Sequence, residues 1–193
     1  MIYELIKNRT PFALARYGDG ELALIQGRGV PYETQAGIMD EWTSPPGLNS
    51  LGLALRKTLL HTESNYFYGL PLFEPLYSEF KRFISSNNIV DANFFINENW
   101  PTFNAFDWGE HILVSRENGT VESPPDCVKN WELLLERLEP YLTREGELFL
   151  FSAGPMSCVA IDWMWNQNPT NMYIDVGSAT DFRTKKRITR GFM

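Results

Sequence analysis

The chain lacks most of the features that announce a function class. Of its 193 residues two are cysteines, Cys127 and Cys158, far apart and not in a CxxC pair. That excludes a disulfide framework and a thiolate zinc site, and it points to a reducing compartment. No apolar run approaches the ~20 residues needed to span a bilayer. The amino-terminal MIYELIKNRT has no apolar centre of the signal-peptide kind, so a cytoplasmic protein is expected. Positive charge is scarce: 17 Lys and Arg stand against 24 Asp and Glu, net −7. A general nucleic-acid binder, which must neutralise phosphates, is therefore not expected. Histidine is limited to His61 and His111. No GxSxG, HExxH or Cys–His pattern supports a hydrolase or protease of those classes. Internal repeats and low-complexity segments are absent.

What is present suits one globular domain, 1–193, long enough to bury a core. Hydrophobic content of 44% and charged content of 21% do not favour disorder. Aromatic content of 14% serves cores and also makes platforms for sugars or bases. Five basic residues, Arg183, Lys185, Lys186, Arg187 and Arg190, crowd the last eleven positions, which hold no acid. The commoner reading of this tail (about 182–193) is a solvated charge run. The sharper reading is a cationic flap over an anionic ligand.

Apolar runs and turn residues alternate at α/β spacing. Strands are expected at 12–16, 66–70, 92–96, 111–115, 147–152 and 172–176. Helices are expected at 2–8, 21–26, 51–61, 74–86, 124–138 and 156–166. Nearly continuous apolar strands predict a Rossmann-like, mostly parallel sheet with helices on both faces. In such sheets ligands bind at the carboxyl ends of the strands.

Polar residues gather at those ends. Arg16-Tyr17-Gly18-Asp19-Gly20-Glu21 follows the first strand. Asp19 as N-cap and Glu21 in the first turn would suit a helix dipole. The same two carboxylates suit Mg²⁺ or Mn²⁺ shared with a phosphate. Gly18 and Gly20 permit close backbone approach, and Arg16 can grip a phosphate through two bonds. Ser152-Ala153-Gly154-Pro155 is an ordinary strand–helix turn or a set of amides for a diphosphate. In Asp175-Val176-Gly177-Ser178-Ala179-Thr180-Asp181, Asp175 can accept from a sugar hydroxyl and Asp181 can ligate metal or act as general base. The competing use is a glycine turn with an Asx cap. Arg116 ends the fourth strand. Gln35 and the Asn97–Asn99 pair can bond a sugar, and Trp42, Trp100 or Trp108 can stack on one, though core packing is the commoner use of tryptophan.

RYGDGE after an apolar strand, with a later strand–SAGP–helix unit and IDVGSATD, resembles the GT-D-type glycosyltransferases. Their signature is an R-[FY]-G-D-G-E segment carrying an Asp-x-Glu motif. The likeness is specific over roughly 16–37 and 147–191. It implies a single Rossmann-like domain that transfers a sugar from a nucleotide-diphosphate donor, a UDP-sugar, to a glycan or glycoprotein with a divalent metal. It implies that Asp19 and Glu21 form the metal and diphosphate locus beside Arg16, and that Gly154 and Asp175 line the donor pocket. Where some relatives carry a histidine this chain has Ser178, and Asp181 is the nearest substitute. Glu21 and Asp181 are then the catalytic candidates. The donor-binding candidates are Arg16, Gly18, Gly20, Gln35, Arg116, Gly154, Asp175 and Ser178. Two other readings compete: a nucleotide-sugar or phosphoester hydrolase, and a non-catalytic nucleotide-binding subunit of a glycan-assembly complex. A homo-oligomer or a pathway partner is compatible with each.

Overall fold

The computed structural model describes residues 1–28, 50–91, 106–115 and 131–177. Its elements are α1 (Ile2–Lys7), β1 (Phe12–Arg16), α2 (Asp19–Gln26), α3 (Ser50–Thr58), β2 (Tyr66–Leu70), α4 (Leu76–Lys81) and β3 (Ile89–Asp91). Then come β4 (Ile112–Ser115), α5 (Trp131–Leu138), β5 (Leu148–Ser152), α6 (Pro155–Gln167) and β6 (Met172–Asp175). The six strands form one all-parallel sheet in the order β3-β2-β1-β6-β5-β4.

Burial follows the position of each strand. β1, β2, β5 and β6 lie inside the sheet and are buried almost throughout. The edge strands are short, and β3 keeps Asp91 exposed. Alternation sorts the interior strands into two cores. Ala13, Ala15, Tyr66, Tyr68, Phe149, Phe151 and Tyr173 pack with Leu22 and Ile25 of α2, Leu51 and Leu55 of α3, Phe80 of α4, Leu138 of α5 and Cys158 and Met164 of α6. Phe12, Leu14, Phe67, Leu148, Leu150 and Ile174 face the other way, against Ile6 of α1 and Trp108.

The described helices are thus unequally shared, and the strand order explains why. Read across the sheet as β4-β5-β6-β1-β2-β3, the steps β4→β5→β6 and β1→β2→β3 all advance in one direction. Right-handed crossovers, the rule for parallel strands, then place their helices on the same face. The single backward step is β3 to β4, and just before β4 Phe106 and Trp108 pack on the opposite face beside α1.

Local boundaries moved in places. The third described strand is Ile89–Asp91, ahead of the expected 92–96, which lies outside the described residues. α4 stops at Lys81 rather than 86, because Phe83 N–H turns back tightly to Phe80 O at 2.9 Å. α3 stops at Thr58 rather than 61: the Thr58 hydroxyl bonds Leu55 O at 2.8 Å, competing with the helical ladder. The expected start of α5 near Pro124 lies outside the described residues, as does the basic tail.

Candidate functional site

β1 and β6 are adjacent at the centre of the sheet, and their carboxyl ends build the site. At the end of β1, Tyr17 turns into the core, where its hydroxyl meets Thr58 Oγ1 at 2.5 Å, and its N–H bonds Gly69 O at 2.9 Å. Gly18, not Asp19, is the N-cap of α2. The cap works backward: the Gly18 N–H donates to Glu21 Oε2 at 2.8 Å, so the carboxylate at the third helical position holds the turn. A residue that needs no capping side chain of its own is sufficient there. Asp19 is left at the first helical position, exposed, with Oδ1 accepting the Gly20 N–H at 3.0 Å. Both acids lie in the first turn of α2, favourable to its dipole.

At the end of β6 the Asp175 carboxylate is buried, 5% exposed. Its Oδ1 accepts the Gly177 N–H at 2.8 Å in an Asx turn. Burial pushes its pKa from 3.8 up to about 7; the Arg16 charge and the Gly177 N–H, with the neighbouring Arg16 amide, oppose this, and the nearby Glu21 charge reinforces it. Ser152 at the end of β5 ties the same turn down by donating to Gly177 O at 2.6 Å. Gly177 has φ +53°, the left-handed region that favours glycine.

α6 closes the site from one side. Its N-cap is Gly154, with φ +62°, and Pro155 occupies the first turn. The Ala153 N–H donates to Ser157 Oγ and the Ser157 N–H to Gly154 O, both at 2.9 Å. With Pro155 lacking an N–H, these positions are not donors to a ligand, so the turn is a poorer diphosphate cradle than its sequence suggests. One turn on, the Cys158 thiol donates to Arg16 O at 2.9 Å. Burial first, then the Asp175 and Glu21 charges, hold this thiol well above its usual pKa, so it stays protonated.

Arg16, Glu21 and Asp175 are therefore electrostatic neighbours, with Gly18, Asp19 and Gly20 on the same turn and Gly154 at the start of the helix that packs behind them. Gln35, Arg116, Ser178 and Asp181 lie outside the described residues, as do Trp42, Trp100, Asn97 and Asn99. Trp108 is a core residue on the opposite face, edge-on to Phe106 at 4.8 Å. Among the described residues no group of three or more His, Cys, Asp or Glu is placed to hold a metal. Mg²⁺ or Mn²⁺ accepts a pair of carboxylates completed by phosphate oxygens and water, and Asp19 and Glu21 are the two acids of this turn. Sequence reasoning missed Cys158. Its only trace is a place one turn after Gly154 on a helix that must face the sheet.

No described helix is long and apolar enough to cross a membrane. No protein-family model and no curated protein matches the chain. Solved structures do. One, the highly conserved domain of unknown function 1792, described as having a distinct glycosyltransferase fold, matches with a TM-score of 0.61 over 99% of this chain and 82% of its own, at 14% identity. Another, described as a new glycosyltransferase of that domain from Streptococcus sanguinis, matches with a TM-score of 0.58 over 95% of this chain and 82% of its own, at 13% identity. The chain has the glycosyltransferase fold of that domain.

Proposed function

We propose that the chain is a metal-dependent glycosyltransferase that moves a sugar from a nucleotide-diphosphate donor, a UDP-sugar, to a glycan or glycoprotein acceptor. One observation carries this reading. At the carboxyl edge of the two central strands a buried carboxylate, Asp175, is kept near Arg16 and Glu21 although burial disfavours its charge. Such an arrangement costs stability and is characteristic of sites rather than of cores. The shared fold sets the class of chemistry to look for, and the residues set its details.

Sugar transfer leaves negative charge on the departing nucleoside diphosphate. The Arg16 guanidinium is the described side chain suited to bind it, and a backbone built of Gly18 and Gly20 lets it come close. Asp19 and Glu21 would hold Mg²⁺ or Mn²⁺, which when bound neutralises diphosphate charge. Asp175 would accept from a donor hydroxyl, with Gly154 lining the pocket behind it. In the same reading Gln35, Arg116 and Ser178 add donor contacts, and Glu21 or Asp181 takes the acceptor's proton.

The test is a thermal-shift titration of UDP, GDP, CDP and dTDP with and without Mn²⁺. A metal-dependent rise in melting temperature with UDP, lost in Asp19→Ala and Glu21→Ala variants that remain folded, is expected. No shift with any nucleotide refutes the donor-binding reading.

A further inference from the structure

We infer that Gly69 on β2 and Gly177 just past β6 are positioning residues that act through Arg16: by having no side chain, they leave the space in which the arginine lies. β1 is sandwiched between those two strands, and Arg16 is in register with Gly69. A Cβ on Gly69 would stand 2.8 Å from Arg16 Cγ, closer than real Cβ contacts come. Its next neighbours, Arg16 Cα at 3.5 Å and Ala15 O at 3.6 Å, are ordinary contacts. A Cβ on Gly177 would collide with Arg16 Nη1 and reach Cζ at 3.0 Å and Nη2 at 3.2 Å. One glycine thus accommodates the root of the side chain and the other its guanidinium.

The backbone of Arg16 has little freedom to yield instead. Its carbonyl accepts the Cys158 thiol, and the next amide, that of Tyr17, bonds Gly69 O. With the main chain held from α6 and β2, the direction of the side chain is set by the two missing Cβ atoms. The guanidinium is ordered during folding rather than at ligand binding, which is how a site avoids the ordering cost of a long side chain. The slot is independent of the proposed function; that it presets a guanidinium for a diphosphate rests on that reading.

A double-mutant cycle in the ligand-free protein decides the slot. Gly69→Ala is expected to lower the urea midpoint of the wild-type chain. In an Arg16→Ala background the clash is gone, and the same change is expected to leave the midpoint unchanged or raise it, because alanine restricts the unfolded chain. Gly177→Ala is expected to be rescued only in part, since its positive φ remains strained for alanine. Equal losses in both backgrounds overturn the inference. If Gly69→Ala alone does not fold, the inference requires the Gly69→Ala/Arg16→Ala double variant to fold, and failure of both overturns it. The same proteins titrated with UDP and Mn²⁺ test the purpose. Gly69→Ala is expected to weaken binding as far as Arg16→Ala does, and the double variant no further. A wild-type chain that binds no nucleotide refutes the donor reading, while the stability cycle still decides the slot.

Discussion

Asp175→Asn isolates the electrostatic cost of the site. The carboxyl sits at about 7 in the fold against 3.8 as a free side chain. The folded protein therefore binds more protons than the unfolded chain between about pH 4 and pH 7. Stability falls as pH rises through that window: the contribution is complete below the unfolded value and lost above the folded one. At about 1.4 kcal/mol per pKa unit, the difference amounts to roughly 4 kcal/mol between the two ends. Asparagine keeps an acceptor for the Gly177 N–H and fills the same volume without a charge. The assay is urea unfolding of both proteins from pH 4 to pH 8.5 in metal-free buffer, plotted as the difference of the two profiles. Near pH 4 the two should coincide within about 1 kcal/mol, the worth of one altered hydrogen bond. Near pH 8 the asparagine variant should be the more stable by a few kcal/mol, with about 4 as the ceiling. A difference that is flat with pH, or a variant less stable at pH 8, refutes the claim that the carboxylate is held against its preference.

Other outcomes follow from contacts elsewhere. His61 has its Nδ1 at 3.1 Å from Glu63 and Nε2 at 2.7 Å from Asp162, and it stacks on Tyr66 at 3.9 Å. Burial lowers its pKa, but the two carboxylates outweigh that and the net direction is up. Its stabilising share is complete below about pH 6.5 and lost as pH rises through the folded value. A difference profile against His61→Gln should show this downward step; a step in the opposite sense refutes it. Tyr17→Phe removes the bond to Thr58 Oγ1 and should cost about 1 kcal/mol in chemical denaturation. Gly27→Ala, at the left-handed C-cap of α2 with φ +67°, should cost about 1 kcal/mol, read as a lower urea midpoint. Phe151→Ala, at a fully buried strand position, should cost about 3–5 kcal/mol and prevent folding if the domain is marginal.

The strands were legible because four of them are buried on both faces. Phe12–Arg16 and Leu148–Ser152 are apolar at nearly every position, which only a covered parallel sheet explains. Edges were harder. Ile89–Asp91 is three residues with one exposed, too short to leave a periodic trace beside the apolar 92–96. The candidate residues were legible as a set of strand ends, and Arg16, Glu21 and Asp175 are electrostatic neighbours there. What sequence cannot display is a bond between distant backbones and side chains. Gly18 as N-cap is invisible without the Glu21 carboxylate folded back on it, and Cys158 reaches Arg16 across 142 positions. The faces were equally hidden, since helices of one periodicity pack on either side until strand order is known.

That strand order also explains why the costly carboxylate sits where it does. Because the β1→β2 and β5→β6 steps advance the same way, α2 with α3 and α6 all pack over one face of the sheet. They meet above the junction of β1 and β6. The start of α2 presents Glu21 there, and the first turns of α6 present Cys158. Asp175, sharing the parity of Tyr173, emerges on this covered side at the end of β6 and is desolvated by the helices that frame it. Arg16, with the parity of Phe12 and Leu14, emerges on the side covered by α1 and lies across Gly69 and Gly177. The sheet edge thus separates the side chains of a cation and an anion in close electrostatic contact. The topology removes water from the carboxylate and also buries Arg16 Nε and Nη1, while the arginine as a whole stays part-exposed at the rim. Moving the negative charge to the rim by exchanging parities, as a one-residue register slip of β6 would, abolishes the arrangement without altering its composition.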